Sequence, residues 1–257
     1  MRIAIFSDIH ANLNGLDAVL EDIRLRGGAD ILVAAGDLAT DGPRPCETLD
    51  RLIESGCLMI RGNHDEYLLG RGKEMIQPEK RENLWLQTLW ATRQVGAKRL
   101  AILQQQPFQR TFSPSPGIEG HDLLAVHANL RSVYGWTGHL EQKEEILEEL
   151  YGNAPANVEV IAFGHWHSNS VRRWHGMKLV NVASVAYPKD RSRLASYTFF
   201  TWNNHANIWQ FEQHRVPFNW REEAQLLRES GMPGHPWHLK EYYFEPQEDL
   251  EQLESVA

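Results

Sequence analysis

Aspartate, asparagine and histidine side chains recur along this chain immediately after short apolar runs. The segments that carry them read SDIH, AGDLATDG, RGNHD, VHA and FGHWH, in that order. They supply nine candidate functional residues: Asp8, His10, Asp37, Asn63, His64, Asp65, His127, His165 and His167. Carboxylate, amide and imidazole groups together form the mixed oxygen and nitrogen donor set that borderline divalent metals accept. The pattern therefore predicts a metal-assisted reaction centre, provided that the fold brings the five segments together.

Each of these residues also has a purely structural interpretation. A single aspartate after a strand is more often a helix cap or a turn residue, and a loop histidine usually faces solvent. The set favours function, because five separate segments that end in only these three kinds of side chain are improbable by accident. The seven other histidines lack such a context and are interpreted as surface or structural residues: His121, His139, His175, His205, His214, His235 and His238.

The elements before these segments explain why the segments would converge. Apolar runs at residues 3–6, 31–35, 123–126 and 158–163, and a weaker run at 57–60, predict buried strands. One amphipathic helix is predicted between the runs at 3–6 and 31–35. A second, over residues 45–53, is predicted between the runs at 31–35 and 57–60. This alternation predicts a parallel α/β layer, in which the carboxyl ends of the strands meet at the edge where ligands bind.

The rest of the chain predicts a second, β-rich half. Residues 66–120 are less regular, with helical stretches near 80–90 and 96–105 and then a proline-containing loop, while 171–211 predict strands joined by short turns. A last helix is predicted near 222–229. We expect a single domain over residues 1–257, with a core at about 1–214 and a C-terminal helical appendage at about 215–257.

Composition narrows the classes of function. The chain has 257 residues, 42% hydrophobic and 23% charged, which predicts an ordered globular protein. Its net charge of -8 disfavours a broad basic face for extended nucleic acid, so a phosphate substrate would need local cations. The absence of a span-length apolar stretch and the presence of only two cysteines predict a cytoplasmic protein without a membrane partner. No oligomeric state is predicted.

Taken together, DIH, GD, GNHD, VHA and GHWH resemble the five motif blocks of the calcineurin-like metallophosphoesterases. The match spans about residues 2–167, and the later SVAYP segment makes the chain similar to the compact prokaryotic phosphodiesterases of that superfamily. The resemblance implies a four-layer αββα sandwich with a dinuclear metal site at the strand ends. It implies one metal on Asp8, His10, Asp37 and His167 and a second on Asp37, Asn63, His127 and His165, with Asp37 bridging.

The implied reaction is hydrolysis of phosphate esters, above all phosphodiesters or small nucleotides. Two divalent ions, chosen from Mn, Fe, Zn, Ni, Co and Mg with Mn or Fe favoured, would activate a bridging hydroxide. His64 is predicted to protonate the leaving group, and Asp65 to orient the His64 imidazole. Motifs for a cysteine phosphatase, a nucleophilic serine, a phosphate-binding P-loop and an HExxH metalloprotease are absent from the sequence.

Two alternatives and several substrate contacts stay open at this level. The chain could be a nuclease of the same family or a non-catalytic scaffold, although the full set of ligands favours an enzyme. It departs from the family at residues 181–184, Asn-Val-Ala-Ser where Asn-Pro-Gly-Ser is usual, and at Trp166, where a small residue is common. Trp166 could stack on a nucleobase, but capping the sheet edge is favoured, and Arg131, Arg191 and Arg193 could contact phosphate or simply be surface residues.

Overall fold

Ten strands and seven α-helices make up the computed structural model, which describes residues 1–114, 120–190 and 192–243. The strands are β1 (Arg2–Phe6), β2 (Ile31–Ala34), β3 (Leu58–Met59), β4 (Gln109–Phe112), β5 (Asp122–Val126), β6 (Val158–Phe163), β7 (Asn169–Trp174), β8 (Met177–Val182), β9 (Leu194–Asn203) and β10 (Ile208–Pro217). The helices are α1 (Leu13–Leu25), α2 (Pro45–Glu54), α3 (Asn63–Leu68), α4 (Pro78–Gln104), α5 (Glu144–Tyr151), α6 (Trp220–Glu229) and α7 (His235–Tyr243). A short 3-10 turn covers Lys73–Met75.

The strands form two mixed five-stranded sheets, ordered β10-β9-β1-β2-β3 and β4-β5-β6-β8-β7. In the first sheet β1, β2 and β3 are parallel, and β9 and β10 continue the sheet in antiparallel pairing. In the second sheet β5, β6 and β8 are parallel between antiparallel edge strands. Each sheet therefore contains three parallel strands, β1 to β3 in the first and β5, β6 and β8 in the second. The five polar segments follow β1, β2, β3, β5 and β6.

Apolar side chains bury both faces of each sheet. Ile5 and Val33 of the first sheet share one buried cluster with Ala125 and Val160 of the second, so the two sheets pack face to face. Helices α1, α2 and α4 cover the outer face of the first sheet, and α5 covers the outer face of the second. This arrangement confirms the predicted αββα sandwich, and it follows from strands that are apolar on both faces.

Local signals account for the helix boundaries near the site. Helix α1 begins after Asn12, whose side chain accepts the Gly15 N–H at 2.8 Å, satisfying one of the N–H groups that a helix start leaves unpaired. Helix α4 is interrupted at Gly96, with φ 72° and ψ 167°, a backbone conformation that a residue without a β-carbon adopts readily. The two helical stretches predicted near 80–90 and 96–105 are therefore the two halves of α4.

Three strands or helices were not predicted from the sequence. Helix α3 begins within the segment RGNHD and has only six residues, too few to show helical periodicity. Strand β4 lies in the region predicted as a loop, because its pairing with β5 depends on a partner outside the local sequence; residues 115–119 of that loop lie outside the described part. Helix α7 follows α6 and packs with it against Ala186 and Tyr187. Within the described part of the chain, no helix is both long and apolar enough to cross a membrane.

Candidate active site

Backbone hydrogen bonds join the loops at the strand ends into one edge of the sandwich. The Ile9 N–H donates to the Asp37 carbonyl at 2.9 Å, which ties the loop after β1 to the loop after β2. The His165 N–H donates to Asp8 Oδ2 at 2.9 Å, which ties the loop after β6 in the second sheet to the loop after β1 in the first. The polar segments of both sheets therefore face one another.

Asp8, His10 and His167 form the first group of ligand-type atoms. His167 Nε2 lies 3.1 Å from Asp8 Oδ1 and 3.4 Å from His10 Nε2. Asp8 Oδ1 and His10 Nδ1 are buried without a hydrogen-bond partner among the described residues, although buried polar atoms are ordinarily paired. A cation among these atoms would satisfy the Asp8 oxygen, and the three residues are close enough to share one ion.

Asp37, Asn63, His127 and His165 form the second group. His127 Nε2 lies 3.0 Å from Asn63 Oδ1, 3.1 Å from His165 Nδ1 and 3.4 Å from Asp37 Oδ2. A single ring nitrogen cannot hydrogen-bond well to three acceptors at once, whereas four donors converging on one point suit a divalent cation. This group also fits a metal ion.

Asp37 lies between the two groups. Its Oδ2 is 3.9 Å from His10 Nε2 in the first group and 3.4 Å from His127 Nε2 in the second. The structure thus brings all seven predicted ligand residues together in the grouping that the resemblance implies. Their role as ligands stays a prediction.

Contacts on the far side of two imidazoles determine which nitrogen faces the site. His127 Nδ1 lies 2.8 Å from the Ala35 carbonyl, and His167 Nδ1 lies 3.0 Å from the Tyr187 carbonyl. A carbonyl accepts from the protonated nitrogen, so in the neutral ring Nδ1 carries the hydrogen and Nε2 turns its lone pair toward the cluster. This is the orientation that a histidine ligand needs.

Burial and neighbouring charges shift the pKa values of the site in opposite directions. Burial and the nearby His64 lower the pKa of His10 to about 4, and burial with His127 lowers that of His165 to about 3. Burial also disfavours the charged form of His127, but the Asp37 carboxylate raises the pKa of this imidazole to about 9. Without metal, the Asp37 carboxylate is therefore balanced by protonated His127, a charge that a bound cation would replace.

The structure pairs His64 with Asp41 and Thr40. His64 Nδ1 lies 3.1 Å from Asp41 Oδ2 and 2.9 Å from Thr40 Oγ1. The backbone N–H of His64 donates to Asp37 Oδ1 at 2.9 Å. Asp41 was not among the residues singled out from the sequence. The signal that could have found it is its position in GDLATDG, four residues after Asp37 in the same strand-end loop.

Asp65 has a different role in the structure from the one predicted. Its carboxylate accepts the N–H groups of Gly62, Asp37 and Leu38 at 2.8, 2.9 and 3.0 Å. The prediction that Asp65 orients the His64 imidazole is therefore corrected, because these bonds direct its oxygens toward the backbone and it is Asp41 that contacts the ring. Burial and the Asp37 carboxylate raise the pKa of Asp65 to about 7, against the effect of the N–H bonds.

Strained backbone and glycine contacts mark the same loops. Left-handed φ angles between 48° and 64° occur at Asp8, His10, Asp37, Asp41, His165 and His167. Such angles are costly for residues with a β-carbon and cluster at functional sites. A β-carbon at Gly62 would lie 2.1 Å from Asp37 Oδ1, and one at Gly164 would lie 2.3 Å from Asp8 Oδ2, so the ligand carboxylates occupy space that only glycine leaves open.

A cavity of about 360 Å³ opens onto these residues. Its opposite wall is formed by α4 and by the chain around α7, and includes Asn83, Gln87, Trp237 and His238. His238, interpreted from the sequence as a surface or structural residue, thus lies beside the site. A larger cavity of about 440 Å³ near Gly152 is lined by none of the metal-type clusters among the described residues, so its size does not make it a better candidate.

Trp166 is enclosed on both faces by its neighbours. The His139 ring stacks on it at 4.4 Å between centroids and 10° between planes, and Lys189 Nζ lies 3.3 Å from its centroid. The indole is therefore packed in place and does not offer a free face to a base. Arg193 donates to the Tyr243 carbonyl at 2.7 Å and Arg131 to the Glu149 carbonyl, while Arg191 lies outside the described residues.

The family model for calcineurin-like phosphoesterases matches residues 1–189, most of the chain and all of the residues that form the two groups. The chain therefore belongs to the calcineurin-like phosphoesterase family and is a hydrolase that acts on phosphoric ester bonds. This confirms the family predicted from the five polar segments.

The chain is also similar to several individual proteins. The chain is 29% identical to an uncharacterised protein of Methanocaldococcus jannaschii, over 77% of this chain and 82% of that protein. It is similar in structure to a metallophosphoesterase from Sphaerobacter thermophilus, with a TM-score of 0.69, 25% identity and coverage of 91% and 95%. It is 26% identical to the symmetrical bis(5'-nucleosyl)-tetraphosphatase of Photobacterium profundum, over 60% of this chain and 59% of that protein, so the match spans less than two thirds of the tetraphosphatase.

Proposed function

We propose that this protein is a dinuclear metal phosphodiesterase whose substrates are small nucleotides. The observation that carries the proposal is Asp37, which lies between two groups of mixed oxygen and nitrogen donors with the His64–Asp41 pair directly beside it. A carboxylate in that position can hold two cations close together. The similarity to bis(5'-nucleosyl)-tetraphosphatases supports a nucleotide over other phosphate esters.

The cations would be held by Asp8, His10, Asp37 and His167 on one side and by Asp37, Asn63, His127 and His165 on the other. When bound, two divalent ions supply a water of lowered pKa as the nucleophile and neutralise the charge of the phosphate oxygens. Manganese or iron is proposed, because carboxylate and amide oxygens with imidazole nitrogens suit both.

The leaving alkoxide requires a proton, which His64 would donate. Its Nδ1 is engaged by Asp41 Oδ2 at 3.1 Å, so Nε2 is the nitrogen that can protonate the leaving oxygen. A carboxylate that contacts one ring nitrogen fixes the orientation of the imidazole. Asp41 and Thr40 therefore position the acid, and Asp65 holds the loop that carries it.

A small substrate fits this site better than a polymer. The cavity holds about 360 Å³ and has α4 and α7 as its far wall, and the whole chain carries a net charge of -8. An extended nucleic acid would need an open basic track, which supports the small-nucleotide proposal over a nuclease. The free thiols Cys46 and Cys57 agree with the proposed cytoplasmic setting, where cysteines stay reduced.

Metal removal and replacement test the proposal. The protein is stripped with a chelator, and Mn, Fe, Co, Ni, Zn or Mg is added back singly before assay on a phosphomonoester, a phosphodiester and a dinucleoside polyphosphate. We expect no turnover without metal, recovery with Mn or Fe, and two ions bound per chain by elemental analysis.

Asp37→Ala is the variant that tests the dinuclear site, because Asp37 is the one predicted ligand that would contact both ions. It should lose activity and reduce the bound metal, whereas Asp17→Ala, which changes an exposed carboxylate paired with Arg51 on the surface, should change neither. Full activity in Asp37→Ala, or one ion per active chain, would contradict the dinuclear proposal.

A further inference from the structure

The wall of the cavity opposite the metal-ligand residues has a chemistry of its own. It is built from α4 and the chain around α7, and we call it the roof: Glu79, Lys80, Asn83, Leu84, Gln87, Gly234, Trp237 and His238. Its residues come from two elements that contribute none of the predicted metal ligands. The roof would therefore contact the part of the substrate that the metals do not contact.

Charge decides which part of a nucleotide the roof can bind. Glu79 and Lys80 are both exposed and contribute opposite charges, and burial lowers the pKa of the His238 imidazole, which disfavours a positive charge there. The opposite wall, once it held two divalent ions, would be strongly attractive to anions. A substrate therefore places its phosphate against the metal ligands and an uncharged group against the roof.

The uncharged group is identified by the side chains that face it. Trp237 leaves 49% of its surface exposed, and the flat indole suits stacking against an aromatic ring. The amides of Asn83 and Gln87 line the same cavity and can both donate and accept hydrogen bonds, as the edge of a nucleobase requires. An alkyl group would pack against the indole but leave both amides without hydrogen-bond partners.

The size of the cavity suits a group of about one nucleoside. Its volume of about 360 Å³ lies at the small end of the range of about 300–1,000 Å³ that is usual for small-molecule sites. Gln87 is buried and reaches Gly234, whose β-carbon position lies 2.4 Å from Gln87 Nε2, so α4 and the start of α7 touch and close the cavity at this side.

We infer that the roof between α4 and α7 is a nucleoside-binding subsite, in which Trp237 stacks on the base of a nucleotide whose phosphate lies at the metal-ligand residues. The inference rests on the proposed function for the position of the phosphate. It makes the C-terminal α7 a specificity element of the enzyme.

Binding measurements separate this subsite from catalysis. Calorimetry on the metal-loaded protein would compare adenosine 5'-monophosphate with inorganic phosphate as probes. We expect Trp237→Ala to weaken the nucleotide by about tenfold or more, the usual effect of removing one stacking ring, and to leave phosphate binding unchanged. Trp237→Phe, which keeps a stacking surface, should recover most of the lost affinity.

Two further variants guard against a change of fold. Trp136→Ala removes another tryptophan, 54% exposed and outside the cavity, and should alter neither affinity. Leu84→Trp should fill the roof and weaken the nucleotide but not phosphate. Equal weakening of both probes by Trp237→Ala, or wild-type affinity for the nucleotide no greater than that for phosphate, would overturn the inference.

Failure of the proposed function looks different from failure of the subsite. If the wild type hydrolyses no phosphate ester with any metal, the proposed function is wrong. The difference between nucleotide and phosphate binding still tests whether the roof is a nucleoside-binding subsite. If hydrolysis occurs and Trp237→Ala keeps the wild-type preference for nucleotides over a simple alkyl phosphodiester, the inferred nucleoside-binding subsite is wrong and the hydrolase assignment stands.

Discussion

At the scale of single residues, Asp41 and Asp65 make different contacts near His64. Asp41 lies 3.1 Å from the imidazole, whereas Asp65 binds three backbone N–H groups and holds the strand-end loops in register. Asp41 would therefore affect the orientation of the proposed acid, and Asp65 the geometry of the loops that carry the predicted ligands. The two carboxylates should consequently differ in what their removal costs.

His64→Ala should reduce kcat by about 10²–10⁴ on esters with poor leaving groups, the usual contribution of a general acid, and by much less on a nitrophenyl ester. Asp41→Asn should show the same dependence on the leaving group in a milder form. Steady-state kinetics across a series of leaving groups measure both effects, with bound metal determined in parallel. A uniform loss across the series would assign these residues to binding.

Asp65→Asn should instead lower stability and metal content together. The amide nitrogen replaces one acceptor oxygen, so at least one of three buried N–H groups loses its partner, at a cost of about 1–3 kcal/mol. Thermal unfolding and elemental analysis give the readouts, with Asp41→Asn as the control of matched chemistry. A selective loss on poor leaving groups with normal stability would restore the role predicted for Asp65 from the sequence.

At the scale of elements, the turn after β6 is held from outside the site. Trp166 lies between His165 and His167, which both have left-handed φ angles, and it is clamped by the His139 ring and the Lys189 ammonium. The Lys189 N–H also donates to the His167 carbonyl at 2.9 Å. These contacts keep two strained residues in the conformation that directs their rings inward.

Trp166→Ala should therefore weaken metal binding, by about 10-fold to 100-fold if the clamp acts as supporting contacts around metal ligands usually do. Calorimetric titration with Mn²⁺ measures the effect, and His139→Ala should reproduce part of it. Trp136→Ala, whose ring centroid lies 6.2 Å from Trp166 without stacking on it, is the control. Unchanged affinity in Trp166→Ala would reduce this tryptophan to ordinary packing.

At the scale of the whole molecule, a buried ion pair joins the C-terminal helices to the core. Glu223 in α6 is fully buried and pairs with Arg44, the residue before α2. Burial raises the pKa of Glu223 to about 7, although the Arg44 guanidinium acts to lower it. The cost of removing this carboxylate from water is therefore larger than the gain from its attraction to Arg44. The contact ties α6 to the start of α2, and α6 packs with α7, one of the two elements of the roof. The buried charge of the pair is nevertheless costly at neutral pH.

This pKa predicts a pH-dependent contribution to stability. The folded Glu223 takes up a proton at about pH 7 and the unfolded one at about 4.5, so the folded chain binds more protons between these values and the free energy of unfolding falls as the pH rises through them. Relative to Glu223→Gln, the wild type should lose roughly 2–3 kcal/mol between about pH 5 and about pH 8. Chemical unfolding of both metal-free proteins tests this, and parallel stability curves would contradict it.

Local sequence was sufficient for much of the fold. The runs at β1, β2, β5 and β6 are apolar on both faces and short, so they predict covered parallel strands, and the crossover α1 shows its buried stripe and cap in the sequence. Strand β4 and helices α3 and α7 were missed. Helix α3 is too short to show helical periodicity, β4 depends on pairing with β5, and α7 depends on packing against Tyr187, a contact with a distant part of the chain.

The sequence by itself determined the family and the set of polar residues at the strand ends, because hydrophobic runs and the residues that follow them are encoded locally. Only the tertiary structure decided the partners of those residues: Asp41 rather than Asp65 beside His64, and His139 and Lys189 around Trp166. It also decided that Trp237 and His238, more than 60 residues beyond the last strand-end motif, face the site. Such contacts depend on how separate elements pack, and side-chain spacing along the chain carries little information about packing between distant segments.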